Sequence, residues 1–131
     1  MIYGIGTDIV AVARLRGMWE RHGERALEKL LAPEEFADFA KAGDKGRFLA
    51  KRFAAKEACS KALGTGFRRG VFWKDMGVVN EPSGRPTMVL TGGALKQLER
   101  ITPAGKKPRI HLTITDDHPW AQAVVIIEAV D

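Results

Sequence analysis

Phe53-Ala54-Ala55-Lys56-Glu57-Ala58-Cys59-Ser60-Lys61-Ala62-Leu63-Gly64-Thr65-Gly66 is the stretch on which the reading of this chain turns. Its alanines and straight side chains favour helix, in a pattern that reaches back to Arg47, and the Gly64-Thr65-Gly66 triplet stops it. Glu57 and Lys61 stand four residues apart, so they project from one face. Taken alone, such a pair is an exposed ion pair worth about 0.3–0.5 kcal/mol. The crowd of alanines, the glycine stop and an aspartate near the N-terminus point to more.

Upstream, Pro33-Glu34-Glu35 starts a helix, with proline in the first turn and acids at the positive dipole end. It runs to about Lys41, followed by a polar connection through Gly46. Ala11–Leu31 predicts a helix with weak points at Gly17 and Gly23. Met1–Val10 predicts a short strand broken by Gly4 and Gly6. Downstream, Asp75–Asn80 and Thr87–Leu90 predict a hairpin joined by the turn-rich Glu81–Pro86, and Gly93–Ile101 a short amphipathic helix. Ile110–Thr115 alternates, with Ile110, Leu112 and Ile114 on one face and His111, Thr113 and Thr115 on the other. Ala121–Val130 closes the chain as a strand suited to a sheet centre. The expected architecture is α+β: one small domain over residues 1–131, an antiparallel sheet with strands from both chain ends, and a long central helix.

A length of 131 residues suits one domain, able to bury about two-thirds of its unfolded surface. No apolar run approaches the roughly 20 residues that span a bilayer, and Met1–Gly6 lacks the basic start of a signal peptide. With a single cysteine, Cys59, no internal disulfide is available, and the cytoplasm is the expected compartment. The net charge of +5 favours anionic partners. His22, His111, His118 and Cys59 lack zinc-ligand spacing. Mg²⁺ remains open, because it needs one or two carboxylates plus a substrate phosphate.

Asp8 is out of place in an apolar strand, where an uncompensated carboxylate is costly. It is either an N-cap for the following helix or a metal ligand, and with Glu57 it would hold Mg²⁺. Gly4 and Gly6 would admit a ligand or another backbone beside it. The Gly64-Thr65-Gly66 loop follows a helix, so the nearby dipole end is negative and opposes an anion. Contact with phosphate there would need Lys61 and a bound cation. Gly64 by itself is explained as a C-cap. His111 is either a hydrogen-bonded strand residue or a substrate contact. Arg14, Arg21 and Arg25 recur at helical spacing, as a solvated basic face or a docking surface for an acidic helix.

Gly4–Val10, Arg52–Gly66 and His111–Asp116, in that order, resemble the holo-acyl carrier protein synthases, the short bacterial class of 4′-phosphopantetheinyl transferases. The order Asp-x48-Glu-x3-Lys-x2-Gly-Thr-Gly is specific, and the resemblance covers essentially the whole chain. It implies transfer of phosphopantetheine from coenzyme A to a serine of apo-acyl carrier protein in fatty acid biosynthesis, with release of adenosine 3′,5′-bisphosphate. It implies Asp8 and Glu57 as Mg²⁺ ligands and, with Lys61, as the catalytic set. It implies coenzyme A contacts from Lys61, Gly64, Thr65, Gly66 and His111, with Arg52 and Pro86 of the Gly84–Pro86 turn as weaker candidates. Arg14, Arg21 and Arg25 would meet the acidic carrier. Glu57, acting through water, is the first candidate for general base and Glu35 a distant second. A homotrimer with active sites at subunit interfaces is implied too. Ala32 replaces the Ser or Thr that often caps the helix before Glu35, so a weaker cap is expected. Cys59 has no catalytic role.

A competing class, a basic module binding RNA or an acidic protein, explains the charge and the arginines. It does not explain Asp8 and Glu57, which would repel a polyanion, and no strand face carries the aromatic platform of RNA binders. Neither nucleic acid nor membrane is an expected partner. A transferase specialised for a fatty acid synthase or polyketide carrier is the remaining enzymatic alternative.

Overall fold

A computed structural model describes all residues 1–131. The chain runs β1 (Ile2–Ala11), α1 (Val12–His22), α2 (Glu24–Leu30), a 3₁₀ turn (Pro33–Glu35), α3 (Phe36–Lys41) and α4 (Lys45–Ala62). A second 3₁₀ turn (Trp73–Asp75) leads to β2 (Met76–Asn80), β3 (Pro86–Leu90), α5 (Gly92–Ile101), β4 (Lys107–Asp117) and β5 (Trp120–Val130). Three strands form an antiparallel sheet in the order β1-β5-β4, and β2-β3 make a separate hairpin. The architecture is α+β, with strands from both chain ends side by side and α4 packed across them.

Ala54, Ala58 and Ala62 recur along α4 at i, i+4, i+8 and are buried, so the helix presents a flat small-residue side to the sheet. Opposite lie Gly4 and Gly6. A Cβ on Gly6 would stand 2.0 Å from the Ala58 carbonyl oxygen, and one on Gly4 2.5 Å from that of Ala62. The glycines therefore serve backbone approach between β1 and α4, and no ligand is needed to explain them. Gly6→Ala must push β1 off α4, at about 1–3 kcal/mol of overpacking. Asp8 moves with the strand, so activity should fall about 10²-fold for a displacement near 1 Å. Thermal melting and steady-state kinetics check both parts; activity retained at the wild-type level would show that strand and helix need not meet.

The expected helix Ala11–Leu31 is two helices. Gly23 adopts φ 54° and separates α1 from α2, because the left-handed region costs glycine nothing. Gly17 is no weak point: the Arg21 side chain folds over it, with Nη1 3.0 Å from where a Cβ would be. Pro33–Glu35 is a 3₁₀ turn preceding α3 rather than α-helix. Ala32 offers no side-chain cap, and the Glu35 carboxylate accepts its backbone N–H at 2.9 Å, half of a capping box. α4 starts two residues early because Asp44 caps it, accepting from the Arg47 N–H at 3.0 Å. No helix is long and apolar enough to cross a membrane.

Candidate active site

In the β1–β5 register Asp8 lies opposite Ala123, on the face that also buries Val125. That face meets α4, so the Asp8 side chain points toward the helix carrying Glu57 and Lys61. Lys61 does not pair with Glu57. Its ammonium reaches across to β1, donating to Asp8 Oδ1 at 3.2 Å and to the Thr7 carbonyl at 2.9 Å. The surface-pair explanation of Glu57 and Lys61 fails on this geometry, as does Asp8 as a cap, since α1 has no side-chain N-cap bond.

Partial burial pushes the Glu57 carboxyl above its ordinary range, and the neighbouring Asp8 charge pushes it further. The Trp73 indole N–H, Lys61 and Arg14 oppose the rise. Trp73 Nε1 is buried with no hydrogen-bonded acceptor. Two hard oxygen donors held on separate elements fit one divalent cation with places left for water and phosphate. No group of three or more His, Cys, Asp or Glu converges anywhere in the chain.

The loop after α4 closes as expected of a glycine stop. Gly64 and Gly66 have φ 84° and 60°, and the N–H groups of Leu63, Gly64 and Gly66 return to carbonyls of Cys59, Lys61 and Ser60. Thr65 Oγ1 donates to the Gly66 carbonyl at 2.9 Å. The loop adjoins Lys61 at the open end of the site. Cys59 is fully buried, and burial pushes its thiol up to about 12, so it stays an unreactive core residue.

Arg52 and Glu35 lie elsewhere. Glu35 is fully buried and accepts from Lys56 Nζ and from the N–H groups of Ala32 and Val78. Arg52 Nε stands 3.2 Å from it, and Arg52 stacks on Phe48 at 4.6 Å. Burial pushes the Lys56 and Arg52 cations down, against the pull of Glu35. A carboxylate with this many donors holds structure together. Arg52 also lines a 380 Å³ cavity with Arg47, Lys51, Asn80 and Pro86.

His111 faces away from Asp8. It lies opposite Ile126, which lies opposite Ile5, on the sheet face that α4 does not cover. There it meets Glu128 at 3.0 Å and shares a 680 Å³ cavity with Arg85, Pro86 and Arg109. Within one chain the expected coenzyme A contacts thus fall into two groups: Lys61 with Gly64–Gly66, and His111 and Arg52 in two cavities that share Pro86.

Arg14 and Arg21 are exposed on α1, whereas Arg25 belongs to α2, so the three share no single helix stripe. Arg14 sits 5.1 Å over the Phe53 ring, and Phe53 packs on Trp73 with centroids 5.9 Å apart. A 400 Å³ groove lined by Met18, His22, Arg25, Lys29, Phe53 and Trp73 adjoins them. Trp73 and Met18 had no signal in the sequence, because only the tertiary fold carries the 3₁₀ turn to α4.

The family model described as the 4′-phosphopantetheinyl transferase superfamily matches residues 4–123. The chain belongs to that superfamily, among its holo-acyl carrier protein synthases. The holo-[acyl-carrier-protein] synthase of Mesorhizobium japonicum is 58% identical over 129 residues, 98% of this chain and 94% of that one. The crystal structure of the Neisseria meningitidis synthase matches with a TM-score of 0.86 at 38% identity, covering 98% of this chain and 99% of that one. The Helicobacter pylori synthase, solved in complex with coenzyme A, matches with a TM-score of 0.79 at 30% identity, over 95% and 99% of the two chains. For a transferase of this superfamily, the site offers two carboxylates suited to a cation and one ammonium suited to an anion. An aromatic wall then leads from Glu57 to a basic groove.

Proposed function

We propose that this transferase, as one catalytic domain over residues 1–131, moves phosphopantetheine from coenzyme A to a serine of apo-acyl carrier protein. Adenosine 3′,5′-bisphosphate leaves, and Asp8 and Glu57 hold Mg²⁺. The observation that carries this reading is the convergence of Asp8, Glu57 and Lys61 beside the Gly64–Gly66 loop. Support for coenzyme A as donor comes from the complex of the Helicobacter pylori relative. The serine Oγ–P bond forms as the diphosphate P–O bond breaks, and the bisphosphate departs with the electron pair. Lys61 and the loop orient the diphosphate, and Glu57 takes the serine proton through water. Mg²⁺, when bound, neutralises charge on the diphosphate, which is most of what phosphoryl transfer asks of a protein.

The carrier docks on Arg14, Arg21 and Arg25, with an apolar residue of its recognition helix over the Phe53–Trp73 groove. Arg14→Glu should raise KM for the carrier about tenfold at low salt, with the penalty shrinking as salt screens the field. An unchanged KM would count against this face.

We read the enzyme as a homotrimer with active sites between subunits. Ile5 and Ile9 are 67% and 57% exposed on the sheet face away from α4, beside the half-buried Val124 and Ile126. A neighbouring copy over that face would bury them and bring its His111 and Pro86 to a site that one chain leaves incomplete. Light scattering in solution should give three chain masses; a monomer at all concentrations would sink this part. In the cytoplasm the product would serve fatty acid biosynthesis.

The test of the whole reading is incubation with coenzyme A, Mg²⁺ and apo-acyl carrier protein, followed by the mass of the carrier. A gain of one phosphopantetheine, abolished by EDTA, is expected. No gain across fatty acid and polyketide carriers would overturn it.

A further inference from the structure

Asp8 and Glu57 carry two negative charges into one partly buried site, yet only one of them has a counter-ion. Lys61 Nζ stands 3.2 Å from Asp8 Oδ1 and 2.9 Å from the Thr7 carbonyl. Glu57 lacks any ion pair of its own. The Lys61 side chain is 54% exposed and that of Asp8 16% exposed, so the lysine is the solvent-side member of the pair. One monovalent cation can neutralise one carboxylate, whereas a dication can serve both at once. The lysine side chain is more than half exposed, and exposed pairs are worth at most about 1 kcal/mol.

We propose that Lys61 is the internal counter-cation of Asp8 in the free enzyme, displaced when a divalent cation binds and thereby released to the diphosphate of coenzyme A. The inference rests on the two-carboxylate cation site proposed above and adds an order to its use. A lysine tied to Asp8 is unavailable to the diphosphate, and a diphosphate binding first would have to break that pair. Once a cation occupies Asp8 and Glu57, the ammonium has lost its partner and is repelled by the new charge, so it swings outward. Cation and coenzyme A then bind with positive coupling, because each removes what the other would have to displace. The four-carbon stem of Lys61, anchored on the last turn of α4 next to Gly64, lets this happen without movement of the backbone.

Two measurements test it. The first is Mn²⁺ affinity by electron paramagnetic resonance without coenzyme A. Lys61→Met should bind Mn²⁺ about five- to tenfold more tightly than wild type, since the competing charge is gone. Equal or weaker binding overturns the displacement. The second is coenzyme A affinity by calorimetry in EDTA, as a cycle of Asp8→Asn, Lys61→Met and the double variant. Asp8→Asn should tighten coenzyme A about fivefold when Lys61 is present, because the ammonium is freed, and by clearly less when it is methionine. An equal effect in both backgrounds would reduce Asp8 to simple repulsion of the ligand and overturn the pairing. Unchanged Mn²⁺ affinity in Asp8→Asn would overturn the cation site itself, and the displacement with it. The metal-free cycle reports the Lys61–Asp8 pairing separately from that failure.

Discussion

A Glu57→Gln variant is expected to lose about 10²- to 10⁴-fold in kcat/KM for carrier modification and to melt higher than wild type in metal-free buffer at neutral pH. Both halves come from one arrangement. Burial and the Asp8 charge raise the Glu57 carboxyl in the folded protein above its unfolded value. The folded state therefore binds this proton more readily than the unfolded one. The resulting stability is fully present below the ordinary carboxylate range and is lost as pH rises through the raised folded value. Above that raised value the ionised carboxylate is a net cost that an isosteric amide removes. Under the proposed cation site Mg²⁺ should reverse the order, raising the melting temperature of wild type but not of the variant, which lacks one of the two carboxylates. Calorimetry with and without Mg²⁺, beside the carrier mass assay, checks the pair of effects. Full turnover with a lower melting temperature would return Glu57 to an ordinary helix-face residue.

Lys56→Met should lower the unfolding free energy by about 3–5 kcal/mol, the effect of leaving one member of a buried ion pair alone. Lys56 is fully buried one residue before Glu57 and donates to Glu35 and to the Leu30 carbonyl, each at 2.5 Å. Its loss leaves Glu35 charged and buried with one cation fewer, and leaves the end of α2 unpinned from α4. Against a total of about 5–15 kcal/mol for a domain, that is a large fraction. A urea transition with a lower midpoint and unchanged slope is the expected record. A shift below about 1 kcal/mol would mean that Arg52 and the N–H groups of Ala32 and Val78 suffice to hold Glu35.

Much of the fold was legible in advance because it depends on local periodicity. The alternation at Ile110–Thr115 put Leu112 and His111 on opposite faces, and they are buried and exposed respectively; the alanines and glycine stop bounded α4 to within two residues. The misjudged places are those where a distant contact decides. Gly17 looked like a break but lies under Arg21, and Gly23, equally plausible by composition, is where the helix divides. Arg14, Arg21 and Arg25 fitted one helical stripe only while that division was unseen. Glu35 could pass for a candidate base because nothing local shows that Lys56, Arg52 and Val78 converge on it.

For the site, the sequence by itself determined which groups are present: Asp8 in an apolar strand, Glu57 and Lys61 one turn apart, and a glycine loop at the negative end of their helix. Those features follow from neighbours within a few positions, which spacing reports faithfully. Only the tertiary structure decided who pairs with whom. Gly4 and Gly6 let β1 lie against Ala58 and Ala62, and that close approach takes Lys61 from Glu57 to Asp8 and leaves Glu57 unpaired. The sheet turns His111 to its other face. Partner choice depends on distances across the fold, and those are set by packing rather than by residue order.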